Sequence, residues 1–459
     1  MYIKDKMSLP QDLLYLTNQI QGYTTNVFRL QTLSANSLSS DGAQQCTVSL
    51  PVTGICNMKS FAMHASVSTR GVAATGSANN AVYALLPKFD DLIDRFGVSC
   101  GGIALDNQTP NINLVKTVKD NLQKTADKFT SDDRVLNAST LKAIDATDAW
   151  AVSNQGQKRH LVKNQWPGFF ECEPAYLDLS KCPEIRVTIQ LANKSVIPVQ
   201  YQGKPLGDRT PTAANAGFTG SECEFSLENI YFTVEMVSVS GGMLEELNQR
   251  IISERGQLDV PYKQYNFFST DISGVSGSLR SSVSTMSLDK VYACQRNTSA
   301  LSGSGAPFDE YNKQQPPIPV DDNIGASHTT AQNTLVSSHM ANYKFTINNS
   351  PYPMFNPSPV DAFHLQCVGN RRSGAKDRGC LVASQDAWLG NFWTAQATLN
   401  HSDDVRTISG MNLSSVNAQI SFEAAGGGDG NDYSRQLCLI TEQTSLLRVG
   451  SGRSVSVIA

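Results

Sequence analysis

The serine whose neighbours have the spacing of a hydrolase nucleophile is Ser99, in the run Gly97-Val98-Ser99-Cys100-Gly101. In a nucleophile elbow, a strand leads into the serine and a helix follows it, which holds the hydroxyl on a strained turn. Here the run Ile103-Ala104-Leu105-Asp106-Asn107 and then Pro110 follow, and this composition does not predict a helix. We therefore interpret residues 97–101 as a strand end or turn without a nucleophile.

The histidines and cysteines do not have the spacing of metal ligands. His328 and His339 are eleven residues apart, and none of the ten cysteines forms a Cys-x-x-Cys pair. The run His401-Ser402-Asp403-Asp404 holds the residue types of a catalytic triad side by side. A triad is assembled in space and not along the chain, so we interpret this run as a polar turn. The cysteines are expected to be buried free thiols in a reducing compartment.

Carboxylate clusters and aromatic runs raise the possibility of a sugar-cleaving or sugar-binding site. We expect the carboxylates to lie on solvated faces and the aromatic residues to pack sandwich ends or subunit contacts. The sequence therefore predicts no catalytic residue, no cofactor-binding residue and no metal ligand, and the protein is not expected to be an enzyme. The residues considered are Asp90-Asp91-Asp94, Asp132-Asp133, Glu245-Glu246, Trp166-Pro167-Gly168-Phe169-Phe170 and Trp388-Leu389-Gly390-Asn391-Phe392-Trp393.

Charge is scarce in this chain of 459 residues, of which 17% are charged, with a net charge of −4. The longest basic clusters, Lys158-Arg159-His160 and Arg371-Arg372, are interpreted as ordinary solvated loops. Nucleic-acid binders usually carry a basic stripe, so no specific nucleic-acid binding is expected. The N-terminal residues have no apolar core of a signal peptide, and no run of about 18 apolar residues predicts a membrane span.

Alternating apolar residues predict short strands along most of the chain. Ile185, Val187, Ile189 and Leu191 alternate with polar neighbours, which is typical of a half-buried strand. A long strand is predicted from Phe225 onward. Helical spacing is confined to three segments, at residues 8–21, 111–129 and 241–256.

These elements predict an N-terminal arm, a β-rich half, a connecting helix and a second β-rich half. The arm covers residues 1–25 and includes a short amphipathic helix that needs a surface to cover. The first half covers 26–240, with a helical insertion near 107–160, and the connecting helix covers 241–256. The second half covers 257–459 and contains a long loop near 301–334, which is rich in Pro, Gly and Asn.

Three segments of the chain resemble the double jelly-roll major capsid proteins of eukaryotic double-stranded DNA viruses, of the polinton-like virus and virophage type. Residues 164–198 are similar to the region that closes the first jelly roll, and residues 225–268 are similar to the crossing between the rolls. Residues 408–412, together with Ile420, resemble a late strand region of that family. The segments read NQWPGFFECEPAYLDLSKCPEIRVTIQLANKSVIP, FSLENIYFTVEMVSVSGGMLEELNQRIISERGQLDVPYKQYNFF and ISGMN.

The resemblance implies an all-β fold of two tandem eight-stranded antiparallel jelly rolls, with a connecting helix and small helical insertions. It also implies a structural protein that forms homotrimeric, pseudo-hexameric capsomers and tiles an icosahedral virus shell. Its expected partners are further copies of itself, neighbouring capsomers, and penton and minor capsid proteins. The expected location is the virion, with assembly inside the infected host cell; whether a membrane lies beneath the shell is left open.

Two alternative functions stay open on the sequence alone. The aromatic and carboxylate clusters would also suit a carbohydrate-binding or carbohydrate-cleaving β-sandwich protein. A minor capsid or spike protein of the same kind of virus is the other alternative.

Overall fold

The computed structural model describes fourteen stretches of the chain, and the fold below refers to them. The predicted arm helix, the long loop at 301–334 and most of the insertion at 107–160 lie outside these stretches. The described residues are 23–70, 82–84, 89–123, 158–197, 199–201, 224–239, 249–250, 253–254, 256–273, 276–297, 340–372, 393–414, 418–426 and 434–458.

The first half of the chain forms two main antiparallel sheets and one small sheet. Strand order in the larger sheet is β1-β12-β4-β8, with β2 beside β12 and β9 beside β4; in the facing sheet it is β3-β10-β6-β7; β5 pairs with β11. The strands are β1 (Tyr23–Gln31), β2 (Leu38–Ser39), β3 (Gln45–Ser49), β4 (Ile55–Arg70), β5 (Val82–Ala84), β6 (Ile93–Cys100), β7 (Ile103–Thr109), β8 (Arg159–Lys163), β9 (Tyr176–Asp178), β10 (Ile185–Leu191), β11 (Val199–Tyr201) and β12 (Glu224–Val239).

The second half repeats this architecture with two sheets. One sheet has the order β13-β20-β15-β18, with β21 beside β20, and the other has the order β14-β19-β16-β17. The strands are β13 (Gln257–Ser273), β14 (Gly277–Val283), β15 (Leu288–Asn297), β16 (Met340–Ile347), β17 (Ser350–Tyr352), β18 (Ala395–Thr398), β19 (Ala418–Gly426), β20 (Ser434–Gly450) and β21 (Val455–Ile458).

The two halves share one strand topology. Without the short strands β2, β5, β9, β11 and β21, the described part of each half contains eight strands. Numbered along the chain, these eight pair in the order 1-8-3-6 in one sheet and 2-7-4-5 in the other, in both halves. Two four-stranded antiparallel sheets with these long crossings constitute a jelly roll. The all-β prediction of two tandem eight-stranded jelly rolls is confirmed.

Alternation of apolar and polar residues explains why these segments are strands with one buried face. In β10, the predicted residues Ile185, Val187, Ile189 and Leu191 are all buried, while Arg186 between them is exposed. Strand β12 likewise sends alternate residues into the core of the first roll, with one shift at the exposed Asn229, whose φ is +54°. Burying one face of each sheet against the other removes apolar surface from water, which is the main force that holds a sandwich together.

The helices sit between strands at matching places in the two rolls. α1 (Ile112–Gln123) follows β7, and α2 (Pro359–Arg372) follows β17, so each follows the fifth strand of its roll. Short 3-10 helices lie at Phe89–Leu92, Phe169–Glu171, Lys194–Val196 and Ser451–Arg453. α1 falls within the helical segment predicted at 111–129.

The predicted connecting helix is described at four residues, Gln249, Arg250, Ser253 and Glu254, which are all helical. Arg250 Nε donates a hydrogen bond to Glu254 Oε1 at 2.7 Å, one helical turn away. Gly256 has a φ of +77°, the left-handed conformation expected of a glycine that ends a helix.

The two basic clusters are not in loops, which corrects the sequence interpretation. Arg159 and His160 belong to β8, and Lys158 pairs with Glu228 of β12 at 2.5 Å. Arg371 and Arg372 end α2. Long basic side chains are compatible with any exposed face, so charge alone did not reveal the underlying element.

Aromatic stacking at the centre of the first roll gives a test of its core. The Phe61 ring stacks on Phe232 at 5.3 Å and on Phe170 at 4.5 Å, and all three side chains are buried. We expect Phe232→Ala to lower the free energy of unfolding by about 3–5 kcal/mol, because the cavity cannot collapse fully. Urea unfolding measures this. The matched control is Tyr176→Ala on an exposed aromatic residue of β9, which should change stability by less than about 0.5 kcal/mol.

Candidate functional site: the buried junction between the two jelly rolls

The two nucleophile candidates lie at a strand end and in a polar turn. Ser99 lies in β6, and the chain then turns at Gly101 and Gly102, both with positive φ, into β7. A strand and not a helix follows, as the sequence indicated. In the second run, Asp403 accepts hydrogen bonds from Asn400 Nδ2 at 2.9 Å and pairs with Lys290 at 2.7 Å. These contacts make the segment a structured polar turn.

The carboxylates near residue 90 are structural and not solvated as a group, which corrects the expectation. Asp91 is buried, and Asp90 forms an ion pair with the buried Lys163. Asp94 Oδ1 accepts a hydrogen bond from the backbone N–H of Asn111 at 3.0 Å, just before α1 begins. Asp132-Asp133 and Glu245-Glu246 lie outside the described residues.

The described aromatic residues of both runs are buried in the cores of the rolls, which agrees with packing but places them inside the rolls and not at sandwich ends or subunit contacts. Trp166, Phe169 and Phe170 are buried, and Trp166 Nε1 donates to the Phe61 carbonyl at 3.1 Å. Trp393 is buried in the second roll and donates to the Pro359 carbonyl at 3.2 Å. The rest of the second run, from Trp388 to Phe392, is outside the described part of the chain.

Packing and hydrogen bonds join the two rolls at one junction. The first strand of the second roll, β13, lies against β7 and the 3-10 helix at Phe169–Glu171 of the first roll. Thr109 Oγ1 donates to the Tyr265 carbonyl at 2.7 Å, and the Glu173 N–H donates to the Pro261 carbonyl at 3.0 Å. Hydrogen bonds of this kind fix the register of one roll on the other.

A buried ion cluster lies behind this junction, in the sheet that β13 shares with β15 and β20. Lys263 Nζ lies 2.5 Å from Asp289 Oδ2 and 3.5 Å from Glu442 Oε1, and it donates to Thr444 Oγ1 at 3.1 Å. Thr444 in turn donates to Asp289 at 2.6 Å. All four side chains are buried, so the charges compensate one another in place of water.

Two tyrosines extend these polar contacts, Tyr292 within the second roll and Tyr265 towards the first roll. Tyr292 OH donates to Glu442 Oε2 at 2.6 Å. Tyr265 OH donates to Glu171 Oε2 at 2.8 Å, and Lys119 Nζ of α1 donates to Tyr265 OH at 2.6 Å. Because Glu171 and Lys119 belong to the first roll, Tyr265 forms with them a polar network that crosses the junction. Its members hold one another in place and rigidify the joint.

The protonation of Glu442 is set by its surroundings. Burial by itself would raise its pKa, but the ammonium groups of Lys263, Lys290 and Lys119 and the hydrogen bond from Tyr292 outweigh it and lower the pKa to about 2. Burial would lower the pKa of Lys263, yet Glu442 and Asp289 raise it above its ordinary value. Both groups are therefore charged across the neutral range.

The contacts of this site hold the two rolls together. Its acids are paired with lysines or bonded to tyrosines. In the portion of the chain that is described, no group of three or more His, Cys, Asp or Glu residues is placed to hold a metal ion. Among these same residues, no helix is long and apolar enough to span a membrane. A buried, mutually compensated network suits a rigid building block.

Sequence reasoning did not identify this network. Lys263, Asp289 and Glu442 are far apart along the chain, and each resembles an ordinary charged residue of a half-exposed strand. One signal was present: in the run Thr441-Glu442-Gln443-Thr444-Ser445 of β20, all five polar residues are buried. A long polar run in an otherwise alternating strand can indicate that its outer face is covered by a second layer.

The acid sensitivity of stability tests the role of Glu442. Its pKa is lowered from 4.5 to about 2, so its stabilising contribution is complete above about pH 5 and is lost as the pH falls towards 2. Between these limits the ionised carboxylate accounts for about 3 kcal/mol, at about 1.4 kcal/mol per pKa unit. We expect Glu442→Gln to flatten the slope of unfolding free energy against pH in this window, measured by urea unfolding from pH 2 to 6.

The matched control for this experiment is Glu423→Gln in β19, which removes an exposed carboxylate 4.0 Å from Arg280. This variant should keep the acid slope of the unmodified protein. A Glu442→Gln variant with the full slope would show that another group causes the acid sensitivity.

Comparison with known proteins gives a fold and no closer relative. No protein-family model matches the sequence, and no curated protein matches it. Among solved structures, the Faustovirus major capsid protein matches 97% of this chain over 93% of its own, with 10% identity and a TM-score of 0.58. A chain of the Sputnik virophage structure aligns with 98% of this chain and with 92% of its own length, with 9% identity and a TM-score of 0.58.

The mavirus major capsid protein matches all of this chain over 94% of its own, with 8% identity and a TM-score of 0.50. At such low identity the likeness is one of architecture and extends over nearly the whole of each chain. Together with the paired strand orders described above, it shows that this protein has the double jelly-roll fold found in these viral major capsid proteins.

Proposed function

We propose that this protein is the major capsid protein of a double-stranded DNA virus of eukaryotes and is not an enzyme. Three copies form a pseudo-hexameric capsomer, and capsomers tile an icosahedral shell. Its place is the virion, and it assembles inside the infected host cell. The fold shared with viral major capsid proteins supports the capsid role. The geometry of the junction supports the trimer.

The observation that carries the trimer is the direction of the contact between the two rolls. The first strand of the second roll, β13, packs against the fifth strand of the first roll, β7, and its neighbouring 3-10 helix. Two units of equal topology are thus joined head to tail, through different surfaces. A head-to-tail contact leaves one surface of each kind free at the two ends of the pair.

The free surfaces follow from the shared topology. β1 has in the first roll the place that β13 has in the second, and β17 has in the second roll the place of β7. Within the described residues, β1 pairs with β12 alone along its length, so its outer edge lacks a strand partner. We name β1 the head surface, and β17 with residues 353–360 the tail surface.

Large apolar side chains are exposed on both surfaces. On the head surface, Val27 and Phe28 are 74% and 49% exposed. On the tail surface, Met354 and Phe355 are 81% and 53% exposed, and Val360 beside them is also exposed. Exposed apolar clusters of this kind indicate a contact with a partner. The corresponding contact inside the chain, between β13 and β7, is covered.

A second copy of this chain is the partner that fits both surfaces. If the head of one copy meets the tail of the next, the contact inside the chain is repeated between chains. Six similar lobes from three chains then close a ring with threefold symmetry and a roughly hexagonal outline. A tile of this shape fills a shell. Low overall charge also suits extensive contact between copies, because charge is depleted at interface cores.

The other partners of the proposal are neighbouring capsomers, penton proteins and minor capsid proteins. Specific nucleic-acid binding is not part of it. The domain division proposed here is the one predicted from the sequence, with an arm at 1–25, rolls at 26–240 and 257–459, and a connecting helix at 241–256. A minor capsid or spike protein of the same fold is the alternative. The sugar-site alternative loses its support, because the described aromatic residues of both runs are buried.

Oligomeric state tests the proposal directly. We expect the purified protein to sediment as a stable trimer, three times the chain mass of 49.7 kDa. Val27→Asp and Phe355→Asp should each convert most of the trimer to monomer, because each places a charge in an apolar contact. Analytical ultracentrifugation at several concentrations measures both effects.

The control is Val52→Asp, which changes an equally apolar exposed residue outside the two surfaces and should leave the trimer intact. A protein that stays monomeric at high concentration would contradict the capsid proposal itself. A trimer that withstands both surface substitutions would retain the proposal but reject the head-to-tail contact.

The arm gives a separate prediction. Residues 1–21 include Leu9, Leu13, Leu16 and Ile20, which need an apolar surface to cover. We expect deletion of residues 1–21 to leave the thermal unfolding of both rolls unchanged and to weaken capsomer or shell assembly. Electron microscopy of assembled particles and light scattering measure this. Shells that form as readily without the arm would exclude this role.

A further inference from the structure

A pair of thiols lies at one end of the first roll, outside the network and the surfaces described above. Cys100 is the last residue of β6, and Cys182 lies in the turn before β10. Strand pairing holds these segments together, since Cys100 is the partner of Ile185 and the Gly101 N–H donates to the Glu184 carbonyl at 3.0 Å. Both thiols are buried.

The two thiols lie close enough to interact. The Cys100 thiol donates to the Pro183 carbonyl at 3.8 Å, one residue after Cys182, and the interaction between the two thiols shifts both of their pKa values. The two backbone segments also lie close together, because a Cβ added at Gly101 would lie 2.9 Å from the Pro183 ring. Cysteines on segments held this close together need little movement to form a disulfide bond.

The environment makes the two thiols chemically unequal. The hydrogen bond from Cys182 lowers the pKa of Cys100 despite its burial, while the same hydrogen bond and burial raise the pKa of Cys182. Elsewhere in the roll, burial raises the pKa values of Cys46 and Cys56 to about 12. Cys100 is therefore the thiol of this group that most readily becomes a thiolate, which is the reactive form.

We propose that Cys100 and Cys182 are an oxidation site that forms a disulfide bond on reaction with hydrogen peroxide. The Cys100 thiolate attacks one peroxide oxygen, the O–O bond breaks, and the hydroxide released takes up a proton to become water. Cys100 is then a sulfenic acid. The Cys182 sulfur attacks it, the S–S bond forms, and the sulfenic oxygen leaves as a second water. The two thiols lose two electrons, and the peroxide gains them.

The bond would fasten the turn at residues 178–184 to β6. That turn meets the second roll, since Arg453 Nε donates to the Ser180 carbonyl at 3.0 Å and β21 lies against β7. Oxidation would thus stabilise one edge of the junction. Formation of the disulfide bond requires only the fold of the first roll. Its use after release of particles from the reducing host cell rests on the proposed capsid function.

The test uses the full-length protein, purified under reduction and then exposed to hydrogen peroxide alone. Remaining thiols are alkylated, and the digest is analysed by mass spectrometry. We expect a crosslink between Cys100 and Cys182, the loss of two free thiols per chain, and a rise in thermal unfolding midpoint of about 5–10 °C that a reductant reverses. The crosslink should form in trimer and monomer alike, so its absence does not bear on the capsid proposal.

Single substitutions separate the roles of the two cysteines. With Cys182→Ala, the sulfenic acid has no partner, and a dimedone probe should label Cys100. With Cys100→Ala, no label should appear at Cys182, and Cys46→Ala should form the crosslink as the unmodified protein does. The proposal is overturned if no crosslink forms at peroxide concentrations that oxidise the methionines, or if dimedone labels Cys182 in preference to Cys100.

Discussion

The ammonium group of Lys263 is buried at the place where the two jelly rolls meet, and the surrounding structure depends on its compensation. An isolated charge in this position would cost several kcal/mol, so Asp289 and Glu442 must lie within reach of it. They do so because β13, β20 and β15 pair in one continuous sheet. The register of that sheet and the placement of the charges therefore determine each other.

The same network explains why the junction is specific. Apolar packing alone would let one roll slide on the other at small cost, because hydrophobic contact has no direction. Hydrogen bonds through Tyr265 to Glu171 and from Thr109 to the β13 backbone have a direction and a length. A displaced junction would leave these buried groups unsatisfied. For the proposed capsid subunit, whose outline must be the same in every copy, such a joint is more useful than a merely stable one.

Duplicated topology does not mean duplicated environment. β1 and β13 have the same place in their rolls, but β13 is covered by the first roll and carries the buried Lys263, while β1 exposes both of its faces along most of its length. The sequences differ accordingly, because β1 (YTTNVFRLQ) contains no lysine that corresponds to Lys263. The contact inside the chain is permanent, whereas the contact proposed between chains must form from a folded subunit.

The sequence by itself determined the β architecture, because period-two alternation in segments such as Ile185–Leu191 requires a strand with one buried face. It also identified α1, which lies within the helical segment predicted at 111–129. It missed α2, although Ser358, Pro359 and Asp361 form a capping box in which Ser358 and Asp361 bond each other's backbone. The weak apolar periodicity of that helix concealed the signal.

Only the tertiary structure decided which charges are buried, which thiols lie near each other and which surfaces of the two rolls are joined. Lys263 and Glu442 are separated by most of the second roll, and Cys100 and Cys182 by eighty-two positions of chain. Their proximity follows from sheet pairing between distant segments, and local periodicity carries no information about that pairing. Alternation indicates that one face of a strand is covered. The residues that cover it are determined only when the sheets, and then the rolls, pack together.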